Sequence, residues 1–282
     1  MSEVTVRYFG WSAISIETPD GTLLFDPFFR KYCGAKWFSL PDFQHANFIL
    51  ATHGHEEHFL DIPDVAKSAG AVVIGPPAVK RFLMSRRKLS PQQLLEISPW
   101  ETVELTGFKI TAFNWKHRDI NLWKALTKAV FFFNTTQLKW AFSSAVSAPF
   151  YAPFTGYHVR LPNGLTIMNY NEGFNTKMTD EEIETLAAKL PTSVLLAGMQ
   201  VDFTKDVARG VRTLKPDITV LYPAHDKFHE MMGVKSHPWT DFASAARAAH
   251  PSGQVIVAEP GTAIDLPSGK VSRFVSLVKA AD

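Results

Sequence analysis

Three histidines and two glutamates fall within seven consecutive residues, Thr52-His53-Gly54-His55-Glu56-Glu57-His58. Buried without partners, polar groups of this kind cost roughly 2–7 kcal/mol each, so an apolar core does not gather five of them. Imidazoles suit zinc, iron, nickel and copper, and carboxylates draw the preference toward harder ions such as manganese. On a tight strand-to-helix turn the alternate residues His53 and His55 converge on one ion. Glu57 and His58, further along, face a second. The competing reading is a solvated polar loop. The segment follows Asn47-Phe48-Ile49-Leu50-Ala51-Thr52, a short apolar run that reads as a buried strand.

The elements that must hold this segment follow the same grammar on both sides of it. Val4–Tyr8 and Ala13–Glu17 alternate, and Pro19-Asp20-Gly21 turns the chain into Thr22–Phe25. Helices are predicted from Pro63 to Ser68 and from Gly75-Pro76-Pro77 to about Met84, with strands over Ala71–Ile74 and Phe108–Phe113. Later, Gly156–Leu161 and Leu165–Tyr170 flank Pro162-Asn163-Gly164, a hairpin signal. Thr179-Asp180-Glu181-Glu182 caps a helix with an acidic first turn. Buried strands are predicted at Ser193–Ala197 and Ile218–Tyr222, with helices at Lys205–Thr213 and Thr240–Ala249. A last strand, Val255–Ala258, is expected to end the chain. No linker or short-period repeat breaks this pattern, so a single domain over 1–282 is expected.

The histidine segment resembles the His-x-His-x-Asp-His motif of the metallo-β-lactamase-fold hydrolases, with Glu57 in place of the aspartate. Phe25-Asp26-Pro27 resembles the early strand that ends in Asp-Pro in that family. Tyr222-Pro223-Ala224-His225 resembles its late strand ending in a ligand histidine. In Ile167-Met168-Asn169-Tyr170-Asn171-Glu172-Gly173, Glu172 replaces the aspartate that bridges two metals. The Gly-His-Thr-x-Gly segment of the lactamase and glyoxalase II branches is missing. Asn114-Trp115-Lys116-His117-Arg118-Asp119, followed by Asn121-Leu122-Trp123, is closer to the ascorbate-phosphate lactonases and the N-acyl-phosphatidylethanolamine phospholipase D enzymes.

The resemblance implies an α/β, four-layer αββα sandwich with a dinuclear metal site at one edge. One ion takes His53, His55 and His117. The second takes Glu57, His58 and His225, with Glu172 bridging and Asp26 supporting a ligand histidine. Two divalent ions, zinc first and manganese or iron as alternatives, lower the pKa of a bound water and supply hydroxide at neutral pH. The expected reaction is therefore hydrolysis of a phosphodiester, phosphate ester or lactone, with no serine or cysteine nucleophile and Cys33 a bystander. Each glutamate adds a methylene, about 1.3–1.5 Å, where ligand distances tolerate only ~0.2 Å. Either the backbone sits back or the second site is altered. A di-iron redox enzyme and a catalytically inactive metal-binding protein stay open as alternatives. Among the other histidines, His229 lies four residues after His225, either as a proton donor to the site or as a surface residue. His158 reads as structural, and His45, His237 and His250 fit no ligand spacing. Trp11 stands where relatives often carry histidine, either near the metals or as core filling.

Composition narrows the substrate and the setting. With 29 Lys+Arg against 27 Asp+Glu the formal charge is +2, which excludes a polyelectrolyte function, and no nucleic-acid-binding module is recognisable. A single cysteine excludes an internal disulfide and a Cys-rich zinc ribbon. No apolar run reaches the length of a spanning helix, and Met1-Ser2-Glu3-Val4 has no basic or apolar leader character, so a cytoplasmic protein is expected. From Thr111 to Arg160, 12 of 50 residues are aromatic, and six bases (Lys116, Arg118, Lys124, Lys128, Lys139, Arg160) face one acid, Asp119. Aromatic bodies with cationic tips suit a small or amphiphilic anionic substrate. Lys116, Arg118 and Arg30 are the candidate anion contacts. The aromatic-rich insertion, about residues 118–155, reads as a structural subdomain or homo-oligomer contact, a lid, or a membrane-touching surface around Leu126–Phe133. A second aromatic cluster, Phe28 to Phe38, follows the Asp-Pro motif.

Overall fold

The computed structural model describes residues 4–29, 35, 37–117, 135, 148–149, 151–224, 226, 229 and 235–278. Among them, fifteen strands form two sheets. The first runs in spatial order β15 (Lys270–Arg273), β14 (Thr262–Leu266), β1 (Val4–Gly10), β2 (Ala13–Thr18), β3 (Gly21–Phe25), β4 (Phe48–Leu50), β5 (Val72–Gly75) and β6 (Leu94–Glu96). The second runs β13 (Gln254–Val257), β12 (Ile218–Tyr222), β11 (Val194–Gly198), β10 (Thr166–Asn169), β9 (Thr155–Arg160), β8 (Phe108–Asn114) and β7 (Thr102–Leu105).

Strand alternation builds the layers. Leu23, Phe25 and Leu50 of the first sheet share one core with Ile110, Tyr157, Ile167 and Leu196 of the second. Their neighbours Leu24, Ile49 and Ala51 face outward, where they meet α2 (Ile62–Ala69) and α3 (Pro77–Arg87). On the other side Met168, Leu195, Ala197 and Leu221 bury against α4 (Asp180–Lys189), α5 (Thr204–Leu214) and α6 (Trp239–Ala249). The result is the four-layer αββα sandwich. Alternation with a period of two places one face inside and one outside, and each buried face adds apolar area at about 25 cal/mol per Å².

Strand direction gathers the ends that matter. β3, β4, β5 and β6 run parallel. In the second sheet β10, β11, β12 and β13 are parallel, and β8 joins their direction through two antiparallel pairings across β9. In open α/β sheets ligands collect at such carboxyl ends.

Element boundaries agree with the sequence reading within a few residues, and Thr179 caps α4 in a reciprocal box with Glu182, its Oγ1 accepting from the Glu182 amide. One expectation fails. The chain does not end at the strand near Val255–Ala258; β14 and β15 follow it, and β14 returns to pair with β1 from Val4↔Leu266 to Tyr8↔Thr262. β6 and β7 are also additional to the predicted strands. Most of 118–155, with Leu126–Phe133, Arg30 and Cys33, lies outside the described residues.

Candidate metal centre

β4 delivers the histidine segment. Its backbone continues through Ala51, whose carbonyl accepts from Tyr157 Oη at 2.7 Å, into Thr52 and His53. The helical turn α1 (Glu56–Phe59) follows, with His55 as its extended N-cap residue. From the second sheet, His117 comes three residues after β8, and Glu172 three after β10.

The loop carrying Glu172 is fixed by close backbone contact. Asn171 takes φ +51 and Gly173 φ +89. A Cβ on Gly173 would stand 2.0 Å from the Gly198 carbonyl oxygen, so only glycine fits. Gly198 N donates to Asn171 O at 2.8 Å, and Tyr222 Oη donates to the same carbonyl at 2.6 Å.

His53, His55, His117 and Glu172 converge, each offering one atom, all within 4.8 Å of one another. Glu172 Oε1 lies 3.3 Å from His53 Nε2, 3.4 Å from His58 Nε2 and 4.0 Å from His55 Nδ1. Its second oxygen, Oε2, lies 3.0 Å from His117 Nε2 and accepts from Gln200 Nε2 at 2.9 Å. His53 and Glu172 are buried, while His55, with 22% of its side chain exposed, marks the mouth.

These spacings fit a cation. Ligands about 2.0–2.1 Å from a tetrahedral ion stand roughly 3.3 Å apart, which is the scale seen here. His53 Nε2 and His55 Nδ1 are 3.0 Å apart; two ring nitrogens this close need a shared proton or a shared ion. The opposite edge of His53 places the ring proton on Nδ1 and leaves Nε2 with its lone pair. Its Nδ1 is 3.0 Å from Thr52 Oγ1, which donates to Asp26. Asp26 also accepts from Thr52 N at 2.9 Å and from His58 Nδ1 at 2.8 Å. One buried carboxylate thereby holds two imidazoles with their Nε2 atoms toward Glu172.

The titrating groups of the cluster shift in different directions. Burial, then the neighbouring His58 and His55, keeps His53 well below the ordinary imidazole range. Burial also works against a proton on His58, but hydrogen bonds to Asp26 and Glu172 and the charges of Asp26 and Glu57 outweigh it, and its pKa is pushed up to about 10. Burial raises Asp26 against the pull of His58 and Thr52. Burial likewise raises Glu57, opposed first by His58. Asp26, Glu57 and Glu172 are all buried, and a proton on His58, between Asp26 and Glu172, or an ion in its place supplies the counter-charge that buried carboxylates require.

The remaining expectations divide. Glu57 sits buried in the first turn of α1, within reach of the charges of His58, Glu172 and His117, and His58 reaches Glu172 directly. His225 and Arg118 lie outside the described residues, as does Arg30. Lys116 Nζ is 2.6 Å from Glu182 Oε1 at the start of α4, a pairing that competes with any anion contact. His229 is buried, contrary to a surface position. Its Nδ1 is 2.7 Å from Ser236 Oγ, and it lines a neighbouring cavity to which none of the clustered histidines contributes. His158 Nε2 donates to Pro191 O at 2.9 Å, which is a structural role. Trp11 packs edge-on against Phe28 at 5.1 Å.

Sequence reasoning missed four contributors. Gln200 holds Glu172, and Asn171 Nδ2 donates to Thr52 Oγ1. Trp115 and Phe154 wall the histidines, with Phe154 stacked on His117 at 4.9 Å and Trp115 edge-on to His53 at 5.5 Å. The available signal was position: Trp115 and Gln200 follow the carboxyl ends of β8 and β11, beside the same edge.

Comparison with known proteins agrees with this architecture. Residues 22–159 match the Beta-lactamase superfamily domain. Igni18, described as a novel metallo hydrolase from the hyperthermophilic archaeon Ignicoccus hospitalis KIN4/I, superposes with a TM-score of 0.68 over 94% of this chain and 98% of its own, at 16% identity. The chain has the metallo-β-lactamase fold. The same fold is shared with CmlA, a diiron β-hydroxylase from Streptomyces venezuelae, at a TM-score of 0.63 and 14% identity, over 97% of this chain and 54% of CmlA. In sequence, 79 residues are 38% identical to the UPF0173 metal-dependent hydrolase YtkL of Bacillus subtilis (strain 168), covering 28% of this chain. That segment spans 34% of the length of YtkL. Among the described residues, no helix of this metallo-β-lactamase fold is long and apolar enough to cross a membrane.

Proposed function

We propose that the protein is a metal-dependent hydrolase with a dinuclear centre. His53, His55 and His117 would hold one ion, Glu57 and His58, with His225 by resemblance, would hold the second, and Glu172 would serve both. The observation that carries this reading is the Glu172 carboxylate, whose two oxygens face different histidines, Oε1 toward His53 and His58 and Oε2 toward His117. Zinc suits three imidazoles best, and the carboxylates leave manganese and iron as competitors.

Bound there, such ions would supply activation of a water and polarisation of the bond under attack. The chain's own residues do the rest. Asp26 fixes His58 directly and His53 through Thr52, so both rings present Nε2 inward. Gln200 holds one oxygen of Glu172 in register. Trp115 and Phe154 keep bulk water off the ring faces, and His55 stands where substrate enters.

The substrate in this reading is a phosphodiester, phosphate ester or lactone carried by a small or lipid-like anion. Its support is the Trp115-Lys116-His117 segment with Leu122-Trp123, and the excess of bases over acids between Thr111 and Arg160. Metal analysis of protein purified without chelator, paired with phosphodiester and lactone panels, tests it. Two equivalents of zinc or manganese with turnover are expected. Two of iron favour redox chemistry, for which the glutamates at 57 and 172 speak. His55→Ala should abolish turnover and lower metal content; turnover that survives this change sinks the mechanism.

A further inference from the structure

One short segment touches the three elements that carry the clustered ligands. β9 lies between β8 and β10, and its first residues pair with the ends of both. Asn114↔Thr155 and Phe113↔Gly156 join it to β8, and Asn169↔Tyr157 joins it to β10. His117 follows three residues after Asn114, and Glu172 three after Asn169. The same segment reaches the first sheet. Thr155 N donates to Thr52 O at 2.9 Å, and Tyr157 Oη donates to Ala51 O at 2.7 Å. Both acceptors lie just past Leu50, where β4 ends and the histidine segment begins.

These contacts depend on the residues present. Tyr157 is fully buried in the core between the sheets, in one cluster with Phe25 and Ile110, so its hydroxyl needs a partner there. Gly156 leaves room for the Phe113 ring, which a Cβ would meet at 2.3 Å. Phe154, just before the strand, stacks on His117 at 4.9 Å and packs on His53 at 5.1 Å and His55 at 5.6 Å. Its ring therefore touches candidate ligands from both sheets.

Apolar packing alone does not set such a spacing. Burial between two sheets is non-directional and holds them about 10 Å apart, whereas metal–ligand distances tolerate only ~0.2 Å. His53 and His55 come from the first sheet, His117 and Glu172 from the second. An ion shared by them needs directional bonds across the gap, and Thr155 and Tyr157 supply two. We infer that Phe154, Thr155 and Tyr157 are positioning residues that set the spacing between the two halves of the histidine cluster. The consequence for metal affinity rests on the metal-centre reading; the coupling across the sheets does not.

Tyr157→Phe removes one cross-sheet bond and keeps the ring. In metal-stripped, histidine-labelled protein it should shift the imidazole resonances of His53 and His117 and speed amide exchange at Thr155. Cobalt(II), followed by calorimetry, should bind about tenfold more weakly, with a changed visible spectrum. Ile110→Val and Ile110→Ala, in the same core, bracket the loss of stability and should leave resonances, spectrum and affinity as they were. Phe154→Leu should likewise speed exchange at Thr155 and weaken cobalt, and Phe154→Tyr should restore both. That pair decides if Tyr157→Phe does not fold.

Unmoved imidazole resonances, an unmoved cobalt affinity, or changes that the Ile110 variants reproduce overturn the assignment. A wild-type protein that binds no cobalt defeats the hydrolase reading instead. The imidazole resonances and the exchange at Thr155 then decide the coupling by themselves, so the two readings fail separately.

Discussion

The two sheets contribute to the same centre by different means. The edge of the first sheet is a hydrogen-bonded unit: Asp26 accepts from Thr52 and His58, and Thr52 reaches His53. The edge of the second sheet is set by close backbone packing. Gly173 and Gly198 touch, Tyr222 clamps the Asn171 carbonyl, and Glu172 is presented between them. The first sheet orients its ligands through side chains that a conservative substitution can detune. The second places its ligand through backbone that either fits or does not.

Glu172→Gln separates these contributions most sharply, because it removes the charge that faces four histidines. Metal affinity and turnover should fall by more than about 100-fold, beyond the usual effect of a supporting residue, while the melting temperature of the metal-free protein holds or rises. An unchanged metal stoichiometry would remove Glu172 from the centre. Gly173→Ala should act on the fold itself. The clash with Gly198 and the left-handed backbone together cost about 3 kcal/mol, read as a lower denaturant midpoint even without metal.

Asp26→Asn should leave the metal-free protein folded and cost about 10–100-fold in metal affinity, since a neutral amide holds His58 less firmly. If Asp26→Asn lowered stability as much as Gly173→Ala, the contrast between the two edges would collapse. The smallest effect belongs to Gln200→Ala. Glu172 loses one of its contacts but keeps its place, so a loss of roughly tenfold or less in metal affinity is expected by isothermal titration.

The same contrast governs what could be read from sequence. The first-sheet edge was legible because His53, His55, Glu57 and His58 are contiguous, and a turn after an apolar strand leaves them little freedom. Asp26, His117 and Glu172 were legible by their order along the chain and by resemblance. Gln200 was not, because its partner lies 28 residues earlier and only the parallel pairing of β10 with β11 brings the two together. The roles of Thr52 and Asn171 depend on a contact across 119 residues. Lys116 had the right charge in the right place, but the first turn of α4 supplied a nearer partner in Glu182. The burial of His229 follows from Ser236 and the cavity beside α6, which periodicity does not report. The strands β14 and β15 were missed because pairing with β1 joins opposite ends of the chain.

That last pairing has a consequence for how the protein is made. β1 and β14 leave the ribosome far apart in time, because Leu266 lies 262 residues beyond its partner Val4. Until β14 emerges β1 can satisfy only the side facing β2, so a row of amides and carbonyls remains open along Val4–Tyr8 for that interval. An open strand edge is a template for the wrong partner, and non-local closure is slow. The time between the emergence of Tyr8 and that of Leu266 is therefore the interval in which a nascent chain most needs a chaperone.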